Sequence, residues 1–170
     1  MKKQIIIFTL LVSVIFSQGW NTTFIGQLDY PQFVNDVWGY KADNGKEYAL
    51  VGTSLGTAVV DVTTNPFGPQ QVGFITGDES TWRDIKFYNN HMYISTEAEM
   101  GIQVADITDP ENPELVYEWD GVSRAHNLFQ ADGYLYVIGA DEGTDMEILD
   151  LADPAVPVRV GGWSTEYLHD

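Results

Sequence analysis

Three five-residue segments of this 170-residue chain end in aspartate at a nearly constant spacing. They are Thr57-Ala58-Val59-Val60-Asp61, Ile102-Gln103-Val104-Ala105-Asp106 and Met146-Glu147-Ile148-Leu149-Asp150, with aspartates 45 and 44 residues apart. Each aspartate precedes two prolines three residues apart: Pro66 and Pro69, Pro110 and Pro113, Pro154 and Pro157. Six residues past the second proline stands a large apolar residue, Ile75, Trp119 or Trp163. A period of this length restricts the fold to stacked repeats, because each unit must bury its apolar face against a neighbour.

The upstream half of each unit lines up as well. Asn44-Gly45, Asn89-Asn90 and Asp132-Gly133 tolerate positive φ at both positions of a two-residue hairpin turn. A tyrosine follows each by three residues: Tyr48, Tyr93 and Tyr136, which stand 13, 13 and 14 residues before the closing aspartates. Between these markers lie short runs rich in β-branched and aromatic residues, such as Met92-Tyr93-Ile94-Ser95-Thr96, separated by Gly, Asn, Asp and Pro. The second unit reads as four strands over Arg83–Tyr88, Met92–Glu97, Ile102–Ile107 and Glu114–Trp119. Four antiparallel strands in about 44 residues match one propeller blade. The expected fold is therefore all-β: a β-propeller-like array of four-stranded antiparallel blades at about 36–76, 83–119 and 126–163, with a fourth begun at 167.

Residues 1–17 stand apart from this pattern. Lys2 and Lys3 precede an apolar run from Ile5 to Phe16 that ends at Ser17-Gln18-Gly19, which predicts a secretory signal peptide. The run falls short of the ~20 apolar residues of a permanent span. The repeat domain then occupies 18–170, secreted or at the cell surface. With 25 Asp+Glu against 8 Lys+Arg, the net charge of −17 repels phosphate backbones and excludes nucleic acid as a partner. No cysteine is present, so disulfides, thiolate metal sites and thiol nucleophiles are excluded together.

The Val-Val-Asp, Val-Ala-Asp and Ile-Leu-Asp endings resemble LVIVD repeats. The series Asn35-Asp36-Val37-Trp38, Trp82-Arg83-Asp84-Ile85-Lys86, Ala125-His126-Asn127 and Tyr167-Leu168-His169-Asp170 is similar to the choice-of-anchor B family. The resemblance covers the chain from about Phe24 to Asp170. It implies an exported bacterial propeller whose relatives differ in how the C-terminus is attached to the cell, and it implies no activity. Because His169-Asp170 opens a fourth unit, the chain is expected to be the N-terminal part of a longer protein, with any anchor beyond Asp170. Closure through oligomerisation is the other way to cover the outermost blade faces.

Each unit places a polar pair before its first strand: Asn35-Asp36, Arg83-Asp84, His126-Asn127 and His169-Asp170. First strands line the channel of a propeller, so these positions are expected to form a ring at one end. Asp36, Asp84, His126, Asn127, His169 and Asp170 are candidate ligands there for a divalent cation such as calcium or manganese. The alternative is that the same residues satisfy backbone groups at strand starts. Trp38, Trp82 and Arg83 are candidate ligand-binding residues, the tryptophans as platforms for a sugar. His91 reads as a solvated hairpin residue. Asp61, Asp106 and Asp150 are expected to bond backbone amides two residues on. Asp141-Glu142-Gly143-Thr144-Asp145 matches only part of a calcium loop, and Glu97, Glu99 and Glu142 are turn carboxylates that can serve as general acid and base.

No Gly-x-Ser-x-Gly elbow, His-Glu-x-x-His helix or phosphate loop is present. The first functional expectation is a non-enzymatic binding or scaffold module for a surface protein or a glycan. The second is a metal-dependent propeller hydrolase or lactonase with its site in the channel.

Overall fold

The computed structural model describes residues 22–140, 145–166, 168 and 169. The signal-peptide segment, most of the acidic loop at 141–145, and Asp170 lie outside the described residues. The described residues form twelve strands and no helix: β1 (Val34–Lys41), β2 (Glu47–Thr53), β3 (Gly56–Asp61), β4 (Gln70–Thr76), β5 (Arg83–Tyr88), β6 (His91–Thr96), β7 (Ile102–Asp106), β8 (Glu114–Trp119), β9 (Asn127–Ala131), β10 (Tyr134–Ile138), β11 (Met146–Asp150) and β12 (Val158–Trp163). No helix is long and apolar enough to cross a membrane among these residues. The strands of the second unit fall within a residue of the ranges read from the sequence.

The twelve strands make three four-stranded antiparallel sheets, β1–β4, β5–β8 and β9–β12, each a simple meander. The first strands β1, β5 and β9 lie beside one another in that order. The three sheets form an open array compatible with propeller blades.

Local chemistry sets the corners. Asn89 and Asn90 sit at φ 49° and 60°, Asp132 and Gly133 at 50° and 79°, so both hairpins close through two residues of left-handed backbone. The first hairpin differs. Only Gly45 has positive φ there, and a five-residue loop joins Lys41 to Glu47. Each closing aspartate turns the chain as expected: the N–H groups of Thr63, Thr108 and Ala152 donate to Asp61, Asp106 and Asp150 at 2.8, 2.7 and 2.7 Å.

The ladders correct one equivalence. Tyr48 pairs directly with Asp61, whereas Tyr93 faces Val104 and Tyr136 faces Ile148. The residues that match Tyr93 and Tyr136 are Leu50, opposite Val59, and not Tyr48. The cause is the second hairpin of each unit. Thr53 and Gly56 close a tight turn in the first sheet, while the second sheet spends residues 97–101 on the same connection. Nearly equal sequence separations thus conceal a two-residue offset of the ladder.

Two apolar cores lie between the sheets. Leu50, Val59 and Ile75 of the first sheet pack with Ile85, Ile94 and Ala105 of the second. Tyr93, Val104 and Trp119 of the second pack with Leu128, Val137 and Leu149 of the third. Aromatic stacking reinforces the first junction, with the Phe87 ring 4.5 Å from Tyr40 and Tyr40 5.5 Å from Tyr48. Full burial of each aliphatic side chain contributes about 1.5–3 kcal/mol, so these interfaces hold the array together without disulfides. Trp119 is buried between sheets, whereas Trp163, its counterpart in the third sheet, is half exposed.

Candidate functional site

Three consecutive sheets meet in one cleft of about 130 Å3, lined by Asn35, Asp36, Trp82, Arg83, Asp84, His126 and Asn127. The starts of β1, β5 and β9 therefore bring together most of the polar pairs expected to form a ring. His169 joins them through its ring, whose centroid is 4.0 Å from that of His126.

The carboxylates of this cleft work across sheet boundaries. Asp36 accepts the backbone N–H of Ile85 at 3.0 Å, and Asp84 accepts that of Leu128 at 2.6 Å. Each acid of one first strand thus holds the residue after its counterpart in the next. The reason is geometric, since the edge of an innermost strand presents N–H groups that its own sheet leaves unpaired. Asn35 reaches forward as well, donating from Nδ2 to the Thr81 carbonyl at 2.6 Å. The first member of the later pairs reaches backward. Arg83 Nε donates to the Thr53 carbonyl of the first sheet at 3.1 Å, and His126 Nδ1 is hydrogen-bonded to Glu97 of the second at 2.7 Å.

Asp84 is the most loaded group. Lys86 Nζ contacts both of its oxygens, at 2.8 and 2.9 Å, and also donates to the Ile85 carbonyl at 3.1 Å. Burial pushes the Asp84 carboxyl up to about 6, and the neighbouring Asp36 carboxyl in the cleft acts in the same direction, against the opposing pull of Lys86. The Lys86 ammonium also lies 4.7 Å from the centre of the Trp38 ring, a cation–π contact. Lys86 was not singled out from the sequence. Its signal was available, because residues two apart on a strand share a face.

The candidate ligand-binding residues take different positions. Trp82 is half exposed at the cleft, with its ring 6.2 Å from that of His126. Trp38 does not line the cleft, and Lys86 covers its ring. Arg83 contributes to the cleft wall, but its guanidinium turns away into the interface between the first two sheets, where Nη2 donates to the Asp78 carbonyl at 2.7 Å. The residue is 2% exposed and its Nη1 makes no hydrogen bond. Gly77 gives it room, since a Cβ there would stand 2.6 Å from Nη1.

The candidate metal ligands are largely committed to protein partners. Among the described residues, no group of three acidic or imidazole side chains converges as a cation cage. Glu97 is paired with His126, and Glu99 lines a separate cleft with Asp78, Glu118 and Asp120. Glu142 lies outside the described residues. His91 bonds back through Nδ1 to the Asn89 carbonyl at 2.8 Å, within its own hairpin.

No family model matches this sequence, and no curated protein matches it.

Proposed function

We propose that this chain is part of an exported β-propeller of the LVIVD-repeat kind, at the cell surface or secreted, that works as a binding module. Its ligand site is the cleft where the first strands meet, and its ligand is a carbohydrate. The observation that carries this reading is the state of the cleft residues. Asp36, Asp84 and His126 are fixed by hydrogen bonds across sheets, while Trp82 stays half exposed above them. A rigid polar floor beside an open indole suits a pyranose ring, whose apolar face stacks on the aromatic while its hydroxyls bond fixed acceptors. Preorganised side chains reduce the ordering cost of binding.

Glycan-array binding of the full chain, followed by titration of the best sugar, tests the reading. Trp82→Ala is expected to weaken binding at least tenfold with an unchanged melting temperature. Equal affinity of wild type and Trp82→Ala would defeat it.

The Asp36–Asp84 pair favours a second reading, a metal-dependent propeller hydrolase or lactonase. Two neighbouring carboxyls in one cleft, one raised to about 6, are suited to proton transfer. Elemental analysis separates the two readings. A stoichiometric divalent metal that is lost in His126→Ala supports the hydrolase, and a metal-free chain that still binds sugar supports the module.

A further inference from the structure

The junction between the first two sheets holds a polar group of side chains beside its apolar core. Thr57, Arg83 and Gln103 each stand two residues before a core residue of the same strand, Val59, Ile85 and Ala105, so all three side chains enter this junction. They are 0%, 2% and 1% exposed. One polar atom of each, Thr57 Oγ1, Arg83 Nη1 and Gln103 Oε1, has no hydrogen-bond partner among the described residues. The three meet around one short segment. Gln103 Nε2 donates to the Thr76 carbonyl at 3.3 Å, and Arg83 Nη2 donates to the Asp78 carbonyl at 2.7 Å. Gly77 lies between them, its Cβ position 2.6 Å from Arg83 Nη1. Thr57 pairs with Ile75, the residue before this segment, and with Gly52, whose Cβ position is 3.5 Å from the Arg83 Cβ.

The chemistry of the three atoms selects their partner. Nη1 can only donate, Oε1 can only accept, and Oγ1 can do either. The amide orientation is fixed, because exchanging its two ends would set Oε1 against the Thr76 carbonyl. An occupant must therefore accept from Arg83 and donate to Gln103. An anion fails at Oε1 and a metal cation fails at Nη1, whereas water does both and makes the usual three bonds of a buried molecule. We propose that one buried water molecule binds here, accepting from Arg83 Nη1, donating to Gln103 Oε1 and sharing a hydrogen bond with Thr57 Oγ1. It links Arg83 and Gln103 of the second sheet to Thr57 of the first, and it is an integral part of the junction.

Two measurements on the full chain test the proposal. Thr57→Val keeps the shape of the side chain and removes only the hydroxyl. With the water bound, that loss is expected to lower the folding equilibrium constant about fivefold, read as a lower urea midpoint. A hydroxyl left unpaired in the junction would give the opposite sign, because removing it relieves a desolvation penalty. A raised or unchanged midpoint overturns the proposal. A crystal structure of the full chain grown in bromide identifies the occupant. One water oxygen within hydrogen-bonding distance of all three atoms is expected, with no anomalous signal at the bromine edge. Bromide against Nη1 would make this an anion site, and side chains rearranged into direct contact would leave no site; either result overturns the proposal.

Discussion

The Asp84 carboxylate of the second sheet accepts the backbone N–H of Leu128 in the third, 44 residues along the chain, at 2.6 Å. The same carboxylate holds Lys86 and shares the cleft with Asp36, which holds Ile85. One acid on each of β1 and β5 thus sets how consecutive sheets sit together, and the cleft is shaped by the same bonds.

Asp84→Ala is expected to destabilise the chain by about 3 kcal/mol, because it strands the buried Lys86 ammonium and leaves the Leu128 N–H unpaired. Asp36→Ala leaves no buried cation behind and should cost about 1 kcal/mol. Urea unfolding of both variants measures the difference. Equal losses would show that Lys86 does not depend on Asp84.

Two acids give opposite pH signatures. Asp84 is raised in the folded chain to about 6 from 3.8. The folded chain's preference for the protonated carboxyl therefore adds stability that is full below about pH 4 and is lost as pH rises through 6, while the ionised carboxylate above that pH still pairs with Lys86. Asp61 is held well below the usual carboxylate range, despite the opposing effect of burial, by the Thr64 hydroxyl and N–H, Lys46 and the Thr63 N–H. Its contribution is present above about pH 4 and lost on further acidification. Stability followed from pH 3 to 7 should lose its decline between 4 and 6 in Asp84→Asn. The penalty of Asp61→Asn should be largest at neutral pH and shrink toward pH 3. A penalty of Asp61→Asn that does not change with pH would contradict the assigned bonds.

Gly133→Val should cost about 1–3 kcal/mol, because a β-branched residue resists the left-handed backbone at φ 79°. A Cβ there would meet only the Tyr88 hydroxyl, at 3.6 Å, so the penalty is conformational and not steric. Gly133→Asn should accordingly be nearly neutral, as Asn90 fills the matching position at φ 60°. Thermal melts of the two variants decide this, and equal melting temperatures would contradict the turn geometry.

Gly77→Ala is expected to displace the Arg83 guanidinium, since the added carbon would stand 2.6 Å from Nη1. The displacement breaks bonds to the Thr53 and Asp78 carbonyls inside a buried interface, at about 2 kcal/mol. In the Arg83→Met background the same change should be harmless. A double-mutant cycle in urea measures the coupling, and additive effects would rule out the contact.

The features legible in the chain were those with local causes. Strand alternation, the left-handed Asn89-Asn90 and Asp132-Gly133 turns, and the backbone bonds of Asp61, Asp106 and Asp150 each depend on residues within a few positions. The 44-residue period carried these features into three like sheets, and it placed Asp36, Asp84 and His126 near one another. Their partners could not be read in this way. The bonds from Asp84 to Leu128 and from Arg83 to Thr53 cross between sheets, so they depend on how one ladder is offset against the next. That offset is set by hairpin length, which is why Leu50 and not Tyr48 is the counterpart of Tyr93. Whether a polar residue at a strand start faces the cleft, as Asp84 does, or the neighbouring sheet, as Arg83 does, follows from strand parity relative to the ladder. Sequence by itself determined the units and the chemistry of their corners, because short-range sterics and hydrogen bonds suffice for both. The tertiary structure alone decided which side chains tie the sheets and which stay open, because burial between sheets selects the pairing.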